Sequence, residues 1–251
     1  RDTDRSRGLG DVYKRQRYLR HTQRSIYLHS RKKGSAGKLM SLSNEDQTFL
    51  KTYDDSKYAK PSVTADMVIF SRFSDGSLQV LLIRRGKSPY KDQFALPGGF
   101  VNPDESVDQA ARRELLEETG VDCACLEPIR TFSTPGRDPR RWVISCAYLA
   151  LLDASKLQVK AADDAKDARW FQIFLTKEKD GQWNLDLKDT SSTEPATIHL
   201  TFQETYPESA ASLLPPALHL TLLNPENGLA FDHGEILGYA VKKLQNLLVE
   251  N

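Results

Sequence analysis

The chain has no apolar run approaching 18 residues, which excludes a membrane-spanning helix. Cysteine is scarce: Cys123, Cys125 and Cys146 are too few for a disulfide framework, and no CxxC or Cys/His spacing would hold zinc. All three lie in apolar stretches and read as buried, reduced thiols, which fits a cytoplasmic setting. There is no internal repeat. Hydrophobic residues make up 39% and charged residues 27% of 251 positions, the balance of a soluble globular chain of one or two domains.

The net charge of +1 conceals an asymmetry: residues 1–39 carry +9 and the remainder carries −8. A basic tail commonly marks a nucleic-acid arm or a targeting peptide. Here the chain opens on Arg1 rather than Met, and RDTDRSRGLGDVYKRQ resembles a translated sequencing-adapter scar. No hydrophobic period runs through to Lys38. Asp2, Asp4 and Asp11 argue against a transit peptide, which is poor in acid. Met40 reads as the native start, residues 1–39 as a non-native leader, and no nucleic-acid or membrane partner is expected.

Beyond that point, residues 41–61 are polar, with Tyr53, Tyr58 and Pro61 as anchors. Two strands, 62–72 and 78–85, flank a hairpin signal at Asp75-Gly76. FALPGGFV (94–101) is an extended run broken by Pro97-Gly98-Gly99. A helix follows from about Ser106 to Thr119, with Ser106 as N-cap and Gly120 as the residue that ends it. Strands at 123–133 and 142–152 precede a polar turn and a short strand within 163–171. Asp180-Gly181 marks a further hairpin, 198–204 and 218–224 are strand candidates, and Phe231 to Val249 reads as a terminal helix. Asp232 as N-cap with Glu235 at N3 would give that helix a capping box.

The chemistry is concentrated in residues 99–121. On the helix, Val107, Ala110, Ala111, Glu114 and Glu118 share one face, with Glu117 at its flank. Two carboxylates one turn apart repel by about 3 kcal/mol at an effective dielectric near 20. A hard divalent cation with oxygen ligands relieves that repulsion, and Mg²⁺ suits a site of a few carboxylates completed by water and phosphate. Ala110 and Ala111 on the same face suit close packing on a sheet, not simple solvation.

The spacing Gly99, five residues, Glu105, seven residues, Arg113-Glu114-Leu115, one residue, Glu117-Glu118, one residue, Gly120-Val121 resembles the Nudix box at every defining position. With average residue usage, such a match arises by chance in roughly one in ten million chains of this length. The resemblance implies an α/β/α Nudix sandwich built on a mixed sheet, with a Nudix core at 40–175. The remainder, 176–251, is then a β-rich extension that packs on the core and ends in a helix. It implies Glu114, Glu117, Glu118 and the carbonyl of Gly98 as metal ligands for Mg²⁺, with Mn²⁺ as a substitute. Arg113 would orient the glutamates, Glu105 would brace the loop, and Gly98, Gly99 and Gly120 would shape it. An acidic loop residue also serves such enzymes as general base, and Asp164, between Asp163 and Asp167, is the candidate.

The text around the box resembles the ADP-ribose pyrophosphatase branch and the ADP-ribose-sensing regulators of NAD metabolism. FALPGGFV, TFSTPGRDPR and AFDHGEIL (230–237) carry that likeness. In those regulators a winged helix follows, whereas this sequence runs only about 14 residues further, to Asn251. Arg137 and Arg140, on a mobile loop, would contact phosphate or the terminal ribose, with Arg84 and Phe94 completing the substrate site. The function expected is Mg²⁺-dependent hydrolysis of a nucleoside diphosphate linked to another group, foremost ADP-ribose to AMP and ribose 5-phosphate. A non-catalytic ADP-ribose sensor and a nucleoside-triphosphate house-cleaning enzyme are the alternatives, and a homodimer is compatible with the sequence.

Overall fold

A computed structural model describes residues 42–122, 125–154, 165–189, 195–208, 212 and 214–249. The leader and the start at Met40 therefore lie outside the described residues. The chain divides between Tyr58 and Ala59 into two units, each taken by itself. In the first, Asn44–Thr52 forms helix α1, opened by a reciprocal capping box between Ser43 and Asp46. The sequence reading placed no helix here, because the segment lacks an apolar stripe: none of its residues is buried. Tyr53 and Tyr58 do not act as anchors, since both are exposed.

In the second unit, ten strands among the described residues form one mixed sheet. They are β1 (Ser62–Arg72), β2 (Leu78–Arg85), β3 (Phe94–Ala95), β4 (Gly98–Phe100), β5 (Glu127–Phe132), β6 (Val143–Asp153), β7 (Ala165–Lys177), β8 (Gln182–Asp189), β9 (Thr197–Thr205) and β10 (His219–Leu222). The order is β10-β9-β8-β7-β2-β1-β6-β5, with β3 on β2 and β4 on β1. β1 and β6 run parallel, with only β5 beyond β6 on that side, and the other named pairings are antiparallel. Asp180 and Gly181 turn the β7–β8 hairpin at φ of 58° and 78°, the two positive angles of a type I′ turn. β7 is longer than the short strand expected, because β2 pairs with its first half and β8 with its second.

Helix α2 (Val107–Thr119) covers one face of the sheet and α3 (His233–Val249) covers the other. Alternation along β1 sends Ala65, Met67 and Ile69 toward Ala110, Ala111 and Leu115 of α2. Val68 and Phe70 point the other way, into a core with Ile236, Leu237, Ala240 and Leu244 of α3. A strand buried on both faces reads as a continuous apolar run, which is what 65–70 supplies apart from Asp66. β8 and β9 carry the second core outward through Leu185, Leu187, Leu200 and Phe202. Removing a side chain such as Leu115 would cost about 2–5 kcal/mol. The cysteines depart from expectation: Cys125, in the connection from α2 to β5, is exposed, Cys146 is half-buried, and Cys123 is outside the described residues.

Candidate active site

Gly98 and Gly99 lie on β4, paired with Asp66 and Ala65 of β1. Neither tolerates a side chain. Gly98 has φ of +147°, and a Cβ there would stand 2.3 Å from the Ala65 carbonyl oxygen. A Cβ on Gly99 would stand 2.1 Å from Oε1 of Glu114. The glycines thus let strand backbone and a helix carboxylate share one space. The chain then turns through Asn102, whose backbone and side-chain amides both donate to Glu105 at 2.9 Å. Ser106 and Gln109 form a capping box that starts α2, and Gly120, at φ of 70°, ends it.

Arg113 is the hub of the helix face. Its Nη2 donates to Glu105 Oε1 at 2.7 Å and to the Phe100 carbonyl at 3.2 Å. Its Nη1 reaches Glu114 Oε1 at 2.7 Å and Glu117 Oε2 at 3.4 Å. The hydrogen bond from Arg113, then that from Asn102, pulls the Glu105 carboxyl down to about 2. Burial pushes Glu114 up despite Arg113. Glu118 has no such partner. Its side chain is buried at 2% exposure, its Oε2 has no hydrogen-bond partner among the described residues, and burial followed by the charges of Glu114 and Glu117 lifts it to about 7.

An orphaned carboxylate oxygen on Glu118, one turn from buried Glu114, whose carboxylate lies against Gly99, is a donor set that fits a divalent cation. Among the described residues no three acidic, His or Cys side chains are drawn around a common point. The reason is visible in the contacts, because Glu114 and Glu117 are turned to Arg113.

The substrate residues expected from the sequence separate. Arg137 does not stand free on a mobile loop. Its side chain is 5% exposed and grips Asp232 through two bonds of 2.6 and 2.7 Å, with Asp66 at 3.6 Å. Asp232 is therefore the partner of Arg137, and both its carboxylate oxygens are used there, not in the expected capping box. Arg140 is 38% exposed, is held by Asp138, and lies over the rings of Phe100 and Phe231 at 5.5 and 5.3 Å. Arg84 donates to the Asp92 carbonyl at 3.2 Å, and Phe94 packs edge-on against Phe171 at 4.9 Å. Asp163 and Asp164 lie outside the described residues, and Asp167 accepts from Arg169.

Sequence reasoning missed Asp66, Ser145 and His233. Ser145 donates to Asp66, and buried His233 accepts from the Leu96 amide through Nδ1 at 2.8 Å. Burial lowers the His233 pKa, against the pull of Asp66 and Asp232, so the ring is a neutral acceptor. An acid within the apolar run of β1 was the one available signal for this cluster.

Among known proteins, the NUDIX domain family matches residues 60–187. The chain is 35% identical over 182 residues to an ADPR responsive transcriptional repressor, NtrR, of Acinetobacter baylyi, covering 72% of this chain and 70% of that one. It is 40% identical over 116 residues to an ADP-ribose pyrophosphatase of Methanocaldococcus jannaschii, covering 46% of this chain and 64% of that one. The fold matches a MutT/nudix family protein of Enterococcus faecalis with a TM-score of 0.61 and 32% identity, covering 82% of this chain and 71% of that one. With the family model matching residues 60–187 and a relative 35% identical over 72% of this chain, the chain belongs to the Nudix family.

Proposed function

We propose that the protein is a pyrophosphohydrolase of nucleoside diphosphates linked to another group, with ADP-ribose as substrate and AMP and ribose 5-phosphate as products. The observation that carries this reading is the buried, unpartnered Oε2 of Glu118, one helical turn from Glu114, whose own carboxylate lies against Gly99. Glu114, Glu117, Glu118 and the Gly98 carbonyl would hold the divalent metal, Mg²⁺ in a cytoplasmic setting. When bound, such an ion neutralises bridging phosphates and lowers the pKa of a water. The chain's own part is to hold that array. Arg113 fixes Glu114 and Glu117 while Glu105 fixes Arg113. As a ligand, Glu118 would have to be ionised. Arg140, exposed and stacked between two rings, is the guanidinium suited to the phosphate or ribose end.

The archaeal relative is an ADP-ribose pyrophosphatase and the bacterial one an ADPR responsive repressor, which supports that substrate. A second reading, ADP-ribose sensing without turnover, is favoured by the longer match to the repressor, 182 residues against 116. The complete set of box carboxylates supports catalysis. The deciding experiment profiles product release from ADP-ribose, NADH, CoA, diadenosine polyphosphates and dNTPs with Mg²⁺, alongside ADP-ribose binding by calorimetry. Tight binding with no turnover would establish the sensor, and preference for dNTPs a house-cleaning enzyme. Residues 1–39 belong, on this reading, to no functional part. Their deletion should leave turnover and melting temperature unchanged, and loss of most activity would overturn that.

A further inference from the structure

The start of α3 reaches the catalytic strand by two routes. The first is direct: His233 accepts the Leu96 amide proton, two residues before Gly98. The second runs through a buried chain of charges. Asp232 accepts from Nε and Nη2 of Arg137, Arg137 stands 3.6 Å from Asp66, and Asp66 lies opposite Gly98 across the β1–β4 ladder. Ser145 of β6 donates to the same Asp66 oxygen that faces Arg137. On its other side the turn is held by β1, since the Pro97 carbonyl accepts from the Met67 amide at 2.8 Å. The backbone leading into this turn is also tied to the approach to α3, through Phe94 and the Gly228 and Ala230 peptides.

Buried Asp66 and Arg137 with half-buried Asp232 are an expensive way to join a helix to a sheet. Each ion loses several kcal/mol of hydration, and apolar residues of similar volume commonly give equal or greater stability. The cluster is therefore explained poorly by stability and better by geometry. Gly98 can have no side chain of its own, because the Ala65 carbonyl occupies that space. Its carbonyl can be aimed only by what holds the neighbouring peptides and by what stands across the ladder.

We propose that Asp232 and His233, with Arg137 and Asp66, are positioning residues that set the Leu96–Gly99 turn, and with it the Gly98 carbonyl and the seat of the Glu114 carboxylate. The inference rests on the proposed function for its catalytic consequence, though not for its geometry. It assigns Arg137 to the architecture of the site and removes it from substrate contact.

The test uses the full chain and three readouts: hydrogen exchange of segment 94–101, affinity for Mn²⁺ alone, and kcat and KM for ADP-ribose. Asp232→Asn and His233→Leu are compared with Leu244→Ala, which opens the α3 core away from the turn. Leu244→Ala should lower the melting temperature at least as far, yet leave kcat and the exchange of 94–101 as in the parent. Asp232→Asn and His233→Leu should speed that exchange, weaken Mn²⁺ about tenfold, and lower kcat about ten- to a hundredfold with KM within about twofold. His233→Gln, which can return an acceptor to Leu96, should recover part of kcat. Should the two variants match Leu244→Ala in exchange and in kcat at equal stability, the assignment is overturned. A parent protein that does not turn over ADP-ribose would end the functional reading, while exchange and Mn²⁺ affinity would still decide the positioning role.

Discussion

Glu118→Gln separates the electrostatics of the site from its fold. In metal-free protein the Glu118 carboxyl gives up its proton near 7, where an ordinary glutamate does so at 4.5, because it is buried beside Glu114 and Glu117. A folded-state pKa above the unfolded value makes a contribution that is full below pH 4.5 and disappears as pH rises through 7. The span is worth about 3 kcal/mol, and at 2% exposure solvent screens little of it. For a domain of this size, that is roughly 6–12 °C in melting temperature. The assay is a pair of thermal melts in chelator, at pH 5 and pH 8, on the parent and on Glu118→Gln. The parent should lose stability between the two relative to the variant, all other titrating groups being common to both. Adding Mg²⁺ at pH 8 should restore the parent and leave the variant nearly where it was, while kcat of the variant falls about a hundredfold or more. Identical pH dependence in the two proteins, or near-parental turnover, would refute the reasoning.

Three substitutions probe the rest of the site. Gly99→Ala should displace the Glu114 carboxylate, which a Cβ would meet at 2.1 Å. It should cost about a hundredfold in kcat, checked by steady-state kinetics beside an unchanged far-ultraviolet spectrum. Arg137→Ala strands buried Asp66 and half-buried Asp232 and should cost about 3 kcal/mol in denaturant unfolding. Arg140→Ala should instead cost about tenfold in kcat/KM for ADP-ribose with little change in the unfolding midpoint. The reverse order of stabilities would show that the two guanidiniums have been assigned the wrong way round.

The parts legible in the sequence were those written in short spacings. Asp75-Gly76 and Asp180-Gly181 mark hairpins because the turn needs those residues locally. Ser106, the glutamates and Gly120 mark a helix because capping and face periodicity act within a few residues. The Asp232–Arg137–Asp66 chain joins three positions far apart in sequence and has no local signature, so Arg137 read as a surface arginine and Asp232 as a helix cap. Helix α1 was missed for a different reason. Its capping residues were present, but without an apolar face nothing distinguished it from a polar connection.

The parallel contact between β1 and β6 sets a schedule for synthesis. Ser62 finds Val143, and Arg72 finds Asp153, so this edge of β1 stays without its partner until the box, α2 and β5 have all been made. The opposite core waits longer still, for α3. Until then Met67, Ile69, Val68 and Phe70 lie on an apolar strand with one ladder unpaired. Such pairings are slow to form and prone to aggregate. A nascent chain halted before residue 143 would carry the complete glutamate motif on a sheet that still lacks β6.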